Sequence, residues 1–417
     1  MTNRFKRAAL AGSAFTLILS GLSSDAEAAG FYVREQSTSA LMSGFAGSAS
    51  RGTDASHLFY NPATIIKNRK LDITSDYRVF LPDVKIRATA ATTPLGMAAG
   101  GTPTTGNMAD AAALAPSFFA SYALTDSLSI GVGGSGPFAV DISTNQAWLG
   151  RFQVTKSRMT AFNFNPVGAY RLTDWLTVGA GLQVQYFDVN LQNGQIAPPI
   201  PGAGTGFLRG DDVNVGFTAG VLLEPTESTT IGIGYRSRIK HKLKGRSGIQ
   251  GLPIPQVPSR FNITTPDILT ASISHDVNES FSLHGTFEWA NWSLFDAIVV
   301  QTPGLTTVRP QGWEDTYSGF GGATYKINDR TVVGAGLGYT TAVTDGGTSS
   351  ISPDGDRLTI AAGISHRVMD SMTIKAGYEH VFFSDTNISI PPGPSGTMTG
   401  TSEIDIHTLS FSTTINW

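Results

Sequence analysis

The residue types that most often carry chemistry are scattered along this sequence. The seven histidines fall at positions 57, 241, 275, 284, 366, 380 and 407, and none has the HExxH spacing of a zinc hydrolase. The chain has no G-x-S-x-G motif and no cysteine, which excludes a thiolate metal site. Residues 131–136 match G-x-G-x-x-G, but no helix follows to bind a dinucleotide. We therefore predict no enzyme activity, no cofactor and no metal site.

The first 28 residues have the pattern of a secretory signal peptide. Three cations precede a mostly apolar stretch at 8–21, and residues 26–28 (Ala-Glu-Ala) fit a small-x-small cleavage site. The stretch is shorter than the roughly 20 residues of a membrane-spanning helix. Cleavage before Ala29 removes three basic and two acidic residues and changes the net charge from −3 to −4. That weak charge argues against nucleic acid as a partner.

Alternating apolar and polar side chains predict long strands. The alternation is clear in residues 71–81, 160–172 and 176–186. These runs exceed the 5–6 residues that are common in soluble domains and suit strands of about 9–11 residues tilted through a bilayer. A polar turn followed by a strand opening recurs six times, as in ALTDSLSIGVG and RLTDWLTVGAG. Short turns at one end and long Gly-, Pro- and Ser-rich loops at the other are typical of outer-membrane barrels.

The turn count predicts fourteen strands. Six periplasmic turns join twelve strands, and the first and last strands add two more when both termini lie at that end. We expect strands to begin near residues 70, 113, 127, 156, 175, 213, 228, 266, 280, 313, 330, 356, 371 and 403. The last strand ends at Trp417, with an apolar face that includes Leu409 and Phe411. The sequence thus predicts an all-β fold, a transmembrane antiparallel β-barrel over residues 70–417.

Residues 29–69 precede the first strand and are predicted to form a hatch, a plug inside the lumen. A barrel of fourteen strands is wider than the eight-stranded size whose interior side chains can fill. Within this segment Pro62 fixes its own φ and favours extended geometry at Asn61, whose amide can donate and accept hydrogen bonds. Asn61, Pro62 and Ala63 therefore predict a rigid polar clip between hatch and wall, with an ordinary turn as the alternative.

Residues 29–63 (AGFYVREQSTSALMSGFAGSASRGTDASHLFYNPA) resemble the N-terminal hatch of the FadL-type outer-membrane transporters of long-chain fatty acids and other hydrophobic compounds. The resemblance continues through 148–154, 163–181 and 234–245 and so covers nearly the whole mature chain. It implies fourteen strands, a plug and passive uptake, in which ligand binds from outside, the hatch changes and the ligand leaves sideways through a gap in the wall. It also implies that Phe31 reaches the ligand pocket.

Residues 131–141 (GVGGSGPFAVD) are the candidate for that gap. They fall in the third predicted strand, where Pro137 removes a ladder hydrogen bond and Gly134 and Gly136 weaken the pairing. A proline in the middle of a sheet predicts a kink or an opening. We therefore expect Gly134, Gly136, Pro137 and Phe138 to form the exit.

Alternating cations form the most basic stretch. Arg236, Arg238, Lys240 and Lys242 share one face of a strand, followed by cations at 244 and 246, while Ile239 lies on the other face. With the apolar face toward lipid, the cations are expected to line the lumen. They could attract an anionic head group, pair with carboxylates of the hatch or the loops, or contact lipopolysaccharide phosphates if the strand rises above the membrane.

Two alternatives to fatty-acid uptake remain open. Aromatic or alkane hydrocarbons need no partner for a carboxylate, and Glu314 in WEDTY stands where the family often has a basic residue. A general diffusion porin would keep an aqueous lumen without a hatch. For each of these functions we expect a monomer in the Gram-negative outer membrane, in contact with outer-membrane lipid and lipopolysaccharide.

Overall fold

The computed structural model describes residues 30–68, 70–109, 111–197, 200–344 and 354–417. The predicted signal peptide and Ala29 lie outside these ranges. Within them, no helix is both long and apolar enough to cross a membrane.

In the described part of the chain, twenty-one strand segments form one antiparallel sheet. They are β1 (Leu71–Ala91), β2 (Thr105–Ala109), β3 (Ala113–Ala123), β4 (Leu128–Ser135), β5 (Ala139–Ser143), β6 (Lys156–Thr173), β7 (Leu176–Ala197), β8 (Ile200–Thr226), β9 (Thr229–Arg236), β10 (Ile239–Gln250), β11 (Val257–Thr265), β12 (Ile268–Asp276), β13 (Phe281–Ala290), β14 (Ala297–Thr302), β15 (Leu305–Pro310), β16 (Thr316–Asn328), β17 (Thr331–Thr340), β18 (Arg357–Met369), β19 (Met372–Phe383), β20 (Thr386–Ile390) and β21 (Met398–Asn416).

The sheet closes into a barrel of fourteen strands, as predicted. Three of these barrel strands are interrupted, and each consists of two segments: β4 and β5, β9 and β10, or β11 and β12. The loops contain four additional segments, β2, β14, β15 and β20. The closing pair is β1 with β21, which runs from Asp72 opposite Asn416 to Ala91 opposite Met398.

The predicted alternation sets the two faces of the wall. In β1 the side chains of Asp72, Thr74, Asp76 and Arg78 are buried toward the lumen, whereas Tyr77 is 50% exposed on the outside. Closure pairs the first strand with the last, so the sheet has no free outer edge, which is the reason that barrels can span a bilayer.

Three strands begin earlier than predicted. β8 begins at Ile200 rather than 213, β11 at Val257 rather than 266, and β21 at Met398 rather than 403. The added residues lie at the loop end, where outward positions of β8 are Arg209 and Asp211 instead of apolar residues. Apolar alternation ends at the membrane boundary, but backbone pairing continues above it.

Residues 30–68 lie inside the barrel. They contain α1 (Thr38–Leu41) and two 3-10 helices, η1 (Ala55–Phe59) and η2 (Pro62–Lys67), which are capped by Ser37, Asp54 and Asn61. The segment reaches opposite walls: the backbone N–H of Thr38 donates to Asp76 in β1 at 2.8 Å, and the N–H of Gly47 donates to Thr286 in β13 at 2.9 Å. Nearly all of its side chains are buried.

Wall glycines allow this close approach. A Cβ on Gly220 in β8 would overlap the side-chain oxygen of Asn61, and one on Gly234 in β9 would overlap the carbonyl oxygen of Tyr60. The glycine content of the strands therefore lets the hatch backbone pack directly against the wall.

Candidate functional site

The first residues of the hatch complete a break in the third barrel strand. β4 ends at Ser135 and β5 begins at Ala139. The N–H of Val33 donates to the carbonyl of Pro137, and the N–H of Ala139 donates to the carbonyl of Phe31, both at 2.9 Å. The hatch therefore supplies backbone hydrogen bonds that the adjacent barrel strand supplies where a strand is continuous.

Gly136 lies at the centre of this break. Its carbonyl accepts a hydrogen bond from Nε2 of Gln36 at 2.9 Å, and its N–H donates to Oε1 of the same side chain at 3.3 Å. A Cβ placed on Gly136 would meet one atom within 4 Å, the carbonyl oxygen of Ala161 at 3.6 Å. A side chain at this position would enter open space.

Gly134 differs from the other three predicted exit residues. It pairs with Phe118 of β3 and with Phe164 of β6, so it remains inside the ladder. The described pairing between β3 and β4 ends there, and the pairing of the third strand with β6 resumes at Ala139. The break therefore comprises Gly136, Pro137 and Phe138.

Phe31 occupies an aromatic cage formed by Phe138, Phe187, Trp292, Phe295 and Trp313. The centroid of its ring lies 4.7–6.1 Å from those of the five rings. All six side chains are at most 3% exposed. Such edge and tilted contacts are favourable beyond the burial of apolar area.

Four cage residues were not predicted from the sequence. Phe187 lies on the lumen face of β7, one position beyond the outward Tyr186. Trp292 begins the 3-10 helix η3 (Trp292–Leu294), Phe295 follows it, and Trp313 precedes β16. A usable signal was the presence of large aromatics in the loop segments ANWSLF and QGWED, where polar residues are usual.

Asn61 joins the hatch to itself and to the wall. Its Nδ2 donates to the carbonyl of Ala49 in the hatch at 2.8 Å and to that of Val221 in β8 at 3.0 Å. Its Oδ1 accepts from the N–H of Ala63 at 2.9 Å and caps η2, with Pro62 at the first helical position. The Asn61 side chain is buried, and its bond to Val221 is partly buried.

The luminal position predicted for the basic stretch is wrong for Lys240 and Lys242. In β10 the side chains of Ile239, His241 and Leu243 are buried toward the lumen, so both lysines are exposed on the outer face. The reason is a break at residues 237–238, which changes the side-chain alternation between β9 and β10.

Arg236 and Arg238 lie on either side of that change. Arg236 is buried, and its guanidinium donates to the carbonyl of Phe59 at 3.0 Å and lies 4.4 Å from the centroid of that ring. Arg238 is partly exposed and pairs with the buried Asp267 at 2.5 Å. Arg236 therefore contacts the hatch through a backbone carbonyl and an aromatic ring, whereas the predicted contact was with a carboxylate.

The buried charge of Asp54 in the hatch is compensated. Asp54 pairs with Lys375 of β19 and accepts hydrogen bonds from Ser39 and Ser56. Burial alone would raise the pKa of Asp54, but the Lys375 ammonium outweighs it and holds that pKa well below its ordinary value. Burial lowers the pKa of the neighbouring His57 to about 4, so this imidazole is neutral.

Four side chains on the outer face form a polar cluster that sequence spacing did not indicate. Nε2 of His380 lies 2.6 Å from Oδ1 of Asp405, and Nε2 of His407 lies 3.5 Å from the same oxygen. The hydroxyl of Tyr378 lies 2.7 Å from Nδ1 of His407. β19 and β21 bring these residues together, and hydrogen bonds within the cluster satisfy them.

The fold and its plugged lumen define an outer-membrane β-barrel transporter. The family model described as outer membrane protein transport protein (OMPP1/FadL/TodX) matches residues 19–416, and the chain belongs to this family. Its members are transport channels rather than enzymes, and the protein is an outer-membrane transporter of hydrophobic compounds.

Individual relatives span most of the chain. The 47 kDa outer membrane protein of Pasteurella multocida is 25% identical over 91% of this chain and 92% of its own. The long-chain fatty acid transport protein of Escherichia coli K12 is 23% identical over 91% and 94%. A Pseudomonas aeruginosa FadL homologue has a TM-score of 0.85 at 21% identity, covering 93% of this chain and 100% of that one. The Ralstonia pickettii toluene transporter TbuX has a TM-score of 0.67 at 16% identity, covering 89% and 96%.

Proposed function

We propose that the protein is a passive channel for long-chain fatty acids or related hydrophobic compounds. Ligand binds in the aromatic cage and leaves sideways through the break in the third barrel strand. One observation carries this proposal: Phe31 fills the cage, and the backbone of the same short segment closes the break. A ligand that displaces Phe31 therefore removes the partners of Pro137 and Ala139 in the same event.

The energy of this exchange favours a long apolar chain. Removing a buried phenylalanine ring from its packing costs about 3–5 kcal/mol. Each CH₂ group transferred from water into an apolar site supplies about 0.8 kcal/mol. About six methylene groups thus offset the loss of Phe31, and an acyl chain has more than this. A monoaromatic compound gains only about as much free energy on entering the cage as is lost when the Phe31 ring leaves it.

The hydrocarbon alternative also has a supporting observation. The five rings around Phe31 carry no ionisable group, so the cage itself provides no countercharge for a carboxylate. Alkanes and aromatic hydrocarbons would follow the same route. The general porin is disfavoured because residues 30–68 occupy the lumen.

Transport assays test the proposal directly. Cells that lack their own fatty-acid transporter should gain uptake of a radiolabelled long-chain fatty acid when they express this protein. Planar bilayers that contain the purified protein should show little steady ion current. A large steady conductance without fatty-acid or hydrocarbon uptake would instead identify a diffusion porin.

We also propose that the outer face of β10 contacts lipopolysaccharide. The outer cation strip consists of Lys240, Lys242, Lys244 and Arg246, which are all exposed. Across the ladder Lys244 faces Arg260 and Asp211, and Arg246 faces Arg209. Cations facing each other across strands are unfavourable unless an anion lies between them. Phosphate groups of the outer leaflet have the charge and the acceptors for this role.

A further inference from the structure

Two indole N–H groups in the aromatic cage have no hydrogen-bond partner within the described residues. These donors are Nε1 of Trp292 and Nε1 of Trp313, and both atoms are buried. The two rings lie 5.1 Å apart at 73° to each other, and both contact Phe31. Two unsatisfied donors therefore occur in one pocket.

The other buried tryptophan differs. Nε1 of Trp148 donates to the carbonyl of Val154 at 3.0 Å. The partly buried Trp289 donates to Asp315 at 2.9 Å. Buried indole N–H groups usually find such a partner, because an unmade hydrogen bond is costly. A phenylalanine would fill an apolar cage without that cost. The presence of two indoles therefore indicates that the ligand itself brings a hydrogen-bond acceptor into the cage.

The space that a ligand would take is adjacent to both rings. Gly30 has a φ of +69°, and a Cβ on it would lie 2.8 Å from Cε2 of Trp292, the carbon bonded to Nε1. The same Cβ would lie 2.8 Å from Cζ3 of Trp313. Displacing Gly30 with Phe31 therefore vacates a volume in contact with the two tryptophans.

We propose that Trp292 and Trp313 donate their indole hydrogen bonds to an oxygen-bearing head group at the end of an apolar chain. This inference rests on the proposed function and specifies its substrate class. The carboxyl group of a fatty acid and the carbonyl of an ester both supply the required acceptor, whereas alkanes and aromatic hydrocarbons do not. Recognition by two neutral donors also accounts for five cage rings that carry no cation.

Binding to the purified barrel in detergent tests this inference with three ligands of equal chain length: a fatty acid, its methyl ester and the alkane. Wild type should bind the acid and the ester more tightly than the alkane, by about tenfold for each hydrogen bond gained. Trp292→Phe and Trp313→Phe should each reduce this preference, and the double variant should abolish it. Tighter binding of the acid than of the ester would identify fatty acids as the substrate class. Equal binding of the two would extend the substrate class to esters.

Trp148→Phe is the matched control, because its N–H is already bonded to Val154. It should leave the preference unchanged. A second measurement needs no variant: both ligands should shift the indole N–H resonances of Trp292 and Trp313 in the labelled protein, because Phe31 leaves the cage. The acid should move them further downfield than the alkane does, because only the acid accepts a hydrogen bond.

The outcomes separate this inference from the proposed function. Equal affinity of wild type for all three ligands, or an unchanged preference in the double variant, would overturn the role of the indoles and leave the channel intact. Failure of wild type to bind any of the three would overturn both.

Discussion

Tyr32 of the hatch and Phe138 of the wall form an antiparallel bridge inside the barrel. Their rings lie 5.7 Å apart, and hydrogen bonds of 2.9 Å flank the bridge on both sides. Buried backbone groups are nearly always paired, so the broken strand needs these partners when it is closed. Movement of this hatch segment therefore also breaks the hydrogen bonds that close the wall at Phe138.

Removing Phe31 should impair uptake without unfolding the barrel. Deletion of residues 29–33 and Phe31→Ala empty the cage and leave the strand ladders intact. Uptake of a long-chain fatty acid should fall, while the heat-modified gel mobility of the barrel stays normal. Phe45→Ala is the control, because Phe45 is another buried hatch ring that packs on Phe320, outside the cage. Unchanged uptake after the deletion would remove the proposed role of this segment.

Much of the wall could be predicted because its signal is local. Apolar alternation and turn residues are present in each segment, so strand number and faces follow from short windows. The position of Lys240 could not be predicted in this way, because the break at residues 237–238 is accompanied by a contact that is distant in sequence. There Arg238 pairs with Asp267, which lies between β11 and β12. The cage is also non-local, since Phe187 and Trp313 meet only after the barrel has closed.

Asn61 is predicted to matter more for transport than for stability. Asn61→Ala removes a buried contact with the carbonyl of Val221, and Pro62→Ala loosens the start of η2. Each should reduce uptake severalfold, because the hatch loses a fixed attachment to β8. Asn61→Asp keeps the cap on Ala63 but turns acceptors toward two carbonyls, so it should be at least as harmful. Loss of heat-modified mobility in Asn61→Ala would show that the clip is structural only.

His57 is predicted to make the hatch sensitive to acid. Nδ1 lies 2.9 Å from the carbonyl of Ser48 and therefore donates to it, and Nε2 accepts from Thr53 at 3.1 Å. The folded pKa of about 4 lies below the ordinary 6.5. Protons therefore bind the unfolded hatch preferentially between these values, and stability falls as the pH drops from 6.5 to 4.

The expected loss for His57 is about 3 kcal/mol at pH 4 relative to pH 7. Asp54 contributes little in this window, because its lowered pKa keeps it ionised in the folded hatch and the carboxyl is also largely ionised in the unfolded chain above its ordinary pKa. His57→Gln should remove this component, measured as the difference between wild type and variant in the free energy of hatch unfolding at each pH. Parallel pH profiles for the two proteins would contradict the assignment.

Reversing charge on the outer cation strip should weaken lipopolysaccharide binding. A cation near an anionic membrane surface contributes about 1 kcal/mol, so Lys242→Glu with Lys244→Glu should lower co-purified lipopolysaccharide about tenfold or more. Lys326→Glu with Arg330→Glu makes the same charge change at the short-turn end and should have no effect. Equal lipopolysaccharide content in both double variants, measured by mass spectrometry, would exclude the strip as its site.

Gly136→Arg is predicted to block the proposed lateral exit. A Cβ at this position has one neighbouring atom within 4 Å, the carbonyl oxygen of Ala161, so the long side chain can enter the gap at little cost to folding. Uptake should fall sharply, and binding of the fatty acid to the purified protein should remain near wild type. Gly136→Ala is the matched control and should transport normally, because a methyl group leaves the gap open.

Loss of binding together with transport would place Gly136 in the binding pocket. Normal transport by the Arg variant would mean that ligand passes through the hatch into the periplasm, because a guanidinium in the gap leaves no room for an acyl chain beside Pro137.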